Sequence, residues 1–226
     1  MVKSEDELKS CVRVVVRPYA SALPLGCFGF GVGNALLGAL GLHWIPAADE
    51  KQVAFILLAF AAPLEVISCF FGFLSRDSGG ATAMGIFGAS WIVQGLGLLS
   101  PNTDIDNPAA GIFLLMIAIF ILILTIISFV DKPLLGVLLV IALLRSAGAS
   151  FVQFGWHGVV DISTAVLGLL LAAFSIYCGL GFLMEDVKQR ALPMTFRRGK
   201  AKAAMEGDLQ KQLKRVSREA GVREQL

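Results

Sequence analysis

The sequence predicts an all-α integral membrane protein, a bundle of six transmembrane helices with both termini in the cytoplasm. Three observations carry this. First, the 226 residues are 56% hydrophobic and only 16% charged, with a mean hydropathy of +0.76, more apolar surface than a water-soluble domain of this size can bury. Second, the apolar residues arrive in blocks of about 20, the length that crosses ~30 Å of hydrocarbon as a helix. Third, no block shows the two-residue alternation of a barrel strand, and an open backbone is not tolerated against lipid, so each block is helical.

The spans are Leu23–Leu42, Val53–Leu74, Gly79–Leu99, Ala110–Val130, Pro133–Val152 and Val159–Met184. The first follows a mixed-charge stretch and is too long for the core of a cleaved signal. Basic residues set the orientation. Four precede the first span, Arg76 and Lys132 fall in the second and fourth loops, and eleven follow the sixth span, against Lys51 alone in the loops on the other side. The basic charge is thus topological, and it points to anionic lipid rather than to nucleic acid. The outer loops, HWIPAADEKQ and SPNTDIDNPAA, are short, acidic and Pro-containing, and Trp44 and Trp156 mark the outer headgroup level. Three segments result: a cytoplasmic lead at 1–20, a transmembrane domain at 21–184, and a basic cytoplasmic tail at 185–226. A short interfacial helix is expected over Leu8–Arg17. In the tail, Met205, Leu209, Leu213, Val216 and Ala220 recur at helical spacing, the pattern either of an amphipathic helix or of a solvated tail.

Glycine weakens a lone helix by about 1 kcal/mol relative to alanine, yet the first span carries Gly26, Gly29, Gly31, Gly33, Gly38 and Gly41. In a membrane such residues let helices approach closely, and Gly29-x-x-x-Gly33 and Gly85-x-x-x-Ala89 are small-xxx-small pairs of this kind. The third span interleaves its glycines with Ser78, Thr82, Ser90 and Gln94. Small residues beside hydroxyls and an amide suit helices crowded round a narrow polar path. Cys11, Cys27, Cys69 and Cys178 show no paired spacing and read as free thiols.

Pro24-Leu25-Gly26 with Phe28-Gly29-Phe30-Gly31, Gly80-Ala81-Thr82-Ala83 running through Phe87-Gly88 to Trp91, and Ile176-Tyr177 followed by Leu192-Pro193 resemble, in order and on the matching helices, the motifs of the acetate uptake transporter family, the succinate–acetate permeases. The resemblance covers most of residues 21–195. It implies a six-helix protein that passes acetate and related small carboxylates such as succinate through each protomer, with transport often proton-linked, in a homo-oligomeric ring (trimer or hexamer) of the cytoplasmic membrane. It implies that Phe30, Phe87 and Val137 narrow the pathway. Ser21, Asn34, Thr82, Ser90 and Gln94 are the expected polar lining, with hydroxyls and amides for the carboxylate beside an apolar constriction for the methyl group. Departures from the family pattern are Ser21 for an asparagine, Phe87 for a tyrosine, Glu65 for a glutamine and Gly72 for an acidic residue.

Two charges lie inside spans, Glu65 and Arg145. Each costs several kcal/mol if unpaired at the membrane centre. Two readings are open: a buried Glu65–Arg145 ion pair, or a proton-carrying Glu65. Neither cofactor nor metal is expected. His43 and His157 sit near outer helix ends without ligand spacing or a serine partner, so an enzyme is not expected either. Two other functions share these features: a channel for a neutral solute such as urea or a short amide, and a membrane scaffold that transports nothing.

Overall fold

A computed structural model describes residues 20–75, 77–100 and 106–188, with the side chains of 185–188 left aside. The interfacial helix and the amphipathic tail expected from the sequence lie outside these residues. Six helices long and apolar enough to cross a membrane are present: α1 (Leu23–Gly41), α2 (Ala47–Leu74), α3 (Ser78–Leu99), α4 (Pro108–Asp131), α5 (Pro133–Gln153) and α6 (Val159–Lys188). They close into a ring in chain order. α1 packs along α6, α6 on α5, α5 along α4 and α2 along α3, while the seam between α3 and α4 is thin. An even number of spans brings the start of α1 and the end of α6 to the same side, the one that the basic residues assign to the cytoplasm.

Helix ends follow local chemistry. Pro108 and Pro133 open α4 and α5, where a missing N–H costs nothing. The side chains of Asp77 and Asn107 cap α3 and α4, accepting from Gly80 N at 3.3 Å and Ala110 N at 3.1 Å. α1 and α5 end in the same Schellman pattern. His43 N donates to Leu40 O and Trp44 N to Ala39 O, as Gly155 N does to Val152 O and Trp156 N to Phe151 O. The left-handed residue of this motif is Gly155 (φ 91) in α5 but His43 (φ 57) in α1.

α2 begins earlier than its apolar run, with a 3₁₀ turn at Ala47–Asp49, and holds a π-helical turn at Leu57–Ala61. Pro63 explains the π turn: its ring nitrogen has no proton for the carbonyl four residues back, and a widened turn relieves the clash. The extra residue also rotates everything that follows, Glu65 included.

Most of the helical glycines are contact points rather than flexible joints, Gly79 and Gly97 excepted. A Cβ at Gly33 would stand 2.8 Å from the Trp91 ring, one at Gly29 3.0 Å from Leu64, and one at Gly38 2.9 Å from the Ala165 carbonyl oxygen. Cys27, Cys69 and Cys178 are free. At the inner end the buried Lys132 ammonium pairs with Asp77 and ties the α4–α5 corner to the start of α3.

Candidate functional site

A small cavity lies inside the ring. α1 lines it with Phe30 and Asn34, and α3 with Phe87, Ser90, Trp91 and Gln94; across from them stand Leu114 and Ile117 of α4, Ala142, Arg145 and Ser146 of α5, and Leu171 of α6. At 1.5 Å per residue, Asn34 and Arg145 lie about 16 and 18 Å from the inner ends of their helices, close to mid-membrane. The cavity holds about 20 Å³, room for roughly one water molecule.

Toward the N-termini of α1 and α3, Phe30 and Phe87 close it. Their rings stack with centroids 4.3 Å apart and planes 28° off parallel, and the Trp91 ring leans on Phe30 at 5.8 Å. Both phenylalanines are almost fully buried. The level at which they meet follows from their similar distance to the inner helix ends.

Polar side chains face the space above this stack. Asn34 is fully buried; its Nδ2 donates to Phe30 O at 2.8 Å, and its Oδ1 has no partner. Ser90 Oγ donates to Phe87 O at 2.8 Å, and Gln94 Nε2 to Ser90 O at 3.3 Å. Each bond returns to the residue's own helix, so these groups do not bridge helices. Each amide keeps a second N–H.

Not every expected lining residue reaches the cavity. Val137 is 38% exposed on the outer face of α5, while the adjacent Leu138 is fully buried. Thr82 is exposed on the outside of α3, and Ser21 lies ahead of α1, away from the cavity. For Val137 and Thr82 the reason is azimuth: neighbouring residues on a helix point about 100° apart, so a correct level does not guarantee the right face.

Of the two readings open for Glu65 and Arg145, the ion pair is not formed among the described residues. Glu65, fully buried on α2, accepts a hydrogen bond from Trp91 Nε1 on its Oε1 at 2.7 Å, and its Oε2 has no partner. The indole thus stands between the carboxylate and the cavity that it lines. Arg145 is on the far wall, 9% exposed, with Nε lacking any hydrogen-bond partner. Trp91 was visible in the sequence only as a motif residue. Its role depends on the glycine that admits it, Gly33, and on Glu65, and no spacing rule links those three positions.

At the outer end, His157 bridges two loops. Its Nε2 lies 2.8 Å from Asp106 Oδ1 and its Nδ1 3.5 Å from Asp161. These carboxylates raise the imidazole pKa above its usual value, the Asp106 hydrogen bond contributing most. Among the described residues no group of His, Cys, Asp or Glu could hold a metal ion.

No family model matches the sequence, and no curated protein does. Among solved structures, the bacterial acetate channel SatP superimposes with a TM-score of 0.69 at 17% identity, over 80% of this chain and 99% of that one. At this identity the likeness is one of fold, and it extends across the whole of that channel. The chain therefore has the six-helix membrane fold of which that channel is an example.

Proposed function

We propose that the protein is a channel or transporter for small carboxylates, acetate first, in the cytoplasmic membrane. The observation that carries this reading is the two-sided cavity at the centre of a fold shared with an acetate channel. Asn34 and Gln94 offer spare N–H donors on one side, and Leu114, Ile117 and Leu171 apolar surface on the other, matching the two ends of a two-carbon acid. The Phe30–Phe87 stack acts as the constriction. The scaffold reading leaves this cavity without a use, and an enzyme reading finds no nucleophile–base pair along its lining.

Glu65 belongs to the same proposal as the proton-carrying site, since its one hydrogen-bond partner among the described residues is the indole that lines the cavity. The exposed isoleucines of α4, among them Ile112, Ile119, Ile123 and Ile126, suit lipid or further copies of the chain in a ring.

The test is solute flux into vesicles containing the purified protein, with acetate, formate, succinate, urea and glycerol compared. Acetate is expected to enter fastest, and Phe87→Ala to speed the larger acids. Equal rates for urea and acetate would replace this reading with a neutral-solute channel, and no flux of any solute would leave the scaffold. With Glu65→Gln, acetate uptake is expected to lose its pH dependence; an unchanged profile removes the proton role.

A further inference from the structure

We propose that Arg145 is the anion-binding group of a carboxylate site at mid-membrane, so that the species held in the cavity is the ionised acid. This rests on the carboxylate reading above and specifies its chemistry. Four observations converge. Arg145 is nine-tenths buried, yet it lines the cavity, and its Nε has no partner. No acidic side chain lines the cavity beside it. The one fully buried carboxylate among the described residues, Glu65 on α2, is hydrogen-bonded to Trp91 instead. Finally, the guanidinium stem is held in a made-to-measure slot: a Cβ on Gly168 would stand 3.1 Å from Arg145 Nε and 3.3 Å from Asn34 O and Gly38 Cα. Any side chain at position 168 would press on both the arginine and α1.

Arginine keeps its charge in proteins and presents a planar fork of donors that matches a carboxylate in two-point contact. An unpaired cation at the centre of a bilayer costs several kcal/mol, a cost that a bound carboxylate offsets by charge-assisted hydrogen bonds. The cavity holds about 20 Å³, so acetate enters as the lining side chains move apart; the spare N–H groups of Asn34 and Gln94 then add donors, and Leu171 and Ile117 receive the alkyl end. Chloride shares the charge but not the shape, and acetamide shares the shape but not the charge.

The test is titration calorimetry of the detergent-purified full chain with sodium acetate, sodium chloride and acetamide, on the wild type, Arg145→Met and Arg145→Lys. Methionine keeps the stem and removes the buried charge, so this variant is expected to fold. Acetate is expected to bind the wild type in preference to chloride and acetamide. Binding should weaken at least about tenfold in Arg145→Met and only severalfold in Arg145→Lys. The proposal is overturned if Arg145→Met binds acetate as the wild type does, if acetamide binds the wild type as well as acetate does, or if chloride binds more tightly. Should Arg145→Met not fold, the wild-type comparison of acetate with acetamide still decides. Vesicle flux separates this proposal from the channel reading. Acetate flux with Arg145-independent binding removes the anion site and keeps the channel. Arg145-dependent binding without flux keeps the site and removes the channel.

Discussion

The first three helices and the last three solve the same problem in different ways. Each half carries one charge in the middle of its second helix, Glu65 in α2 and Arg145 in α5. In the first half the charge is sealed. Gly33 admits the Trp91 ring, and Trp91 donates to one oxygen of Glu65, so the carboxylate has a donor inside its own three-helix unit. In the second half the charge is left open, with Arg145 facing the cavity and its Nε unpaired. Glycine usage follows the same division: the helices of the first half hold thirteen, those of the second six. The glycine-rich half holds the sealed charge, and the other half supplies the apolar wall. A membrane bundle can thus keep two buried charges without pairing them, provided one has a hydrogen-bond donor and the other a space.

The strongest way to break this comparison is to overfill the first half. Gly33→Leu drives a branched side chain into the Trp91 ring, where even a methyl group would sit 2.8 Å away. Overpacking of that kind costs ~1–3 kcal/mol or more, and here it also displaces the donor to Glu65. The expected outcome is loss of a monodisperse species on size-exclusion chromatography, and normal elution would show that Trp91 has room to move.

Next in size is a contrast between the two charges. Glu65→Leu leaves the buried Trp91 N–H without an acceptor, a loss of about 1–3 kcal/mol, whereas Glu65→Gln keeps an acceptor oxygen in place and should stay within about 1 kcal/mol of the wild type. Arg145→Met removes an unpaired charge and is expected to be neutral or stabilising. Thermal unfolding in detergent checks all three, and equal destabilisation by Glu65→Leu and Arg145→Met would mean that the halves do not differ as described.

A smaller effect concerns the outer ends. The Asp106 and Asp161 carboxylates raise the His157 pKa, so the protonated, bridging form is favoured on folding. Its stabilisation is fully present below the unfolded value, about 6.5, and is lost as pH rises through the folded value. The melting temperature of the wild type should therefore exceed that of His157→Gln at acid pH and converge with it at alkaline pH. A gap that does not change with pH would assign the difference to packing.

The smallest effect compares two helix ends built alike. α5 places Gly155 in the left-handed position of its Schellman motif, and α1 places His43 there. His43→Gly is expected to raise stability by a few tenths of a kcal/mol up to about 1. A decrease would mean that the imidazole makes a contact worth more than the strain.

Much of this was legible from the sequence. The observed spans begin and end within a few residues of the apolar blocks, apart from the early start of α2 and the four extra residues of α6. Depth was legible too, because an error of one residue moves a side chain only ~1.5 Å along the axis. Phe30 and Phe87 meet for that reason. Facing was not, because the same error turns it by about 100°, as Val137 and Thr82 illustrate. Glu65 shows the limit most clearly. Its depth suggested Arg145, but the π turn at Leu57–Ala61 resets its direction, and its partner is chosen by which helix stands opposite.

The stacked Phe30 and Phe87 rings leave no standing hole, so in the proposed channel passage would be a matter of frequency rather than bore. The rings are packed between α1 and α3, beside the Trp91 ring that sits against Gly33, and in the proposed channel they would part as those helices shift, roughly in microseconds to milliseconds. The proposed channel would then pass roughly a thousand to a million solutes per second at most, and its throughput would climb with temperature as helix motion does, not as the viscosity of water falls.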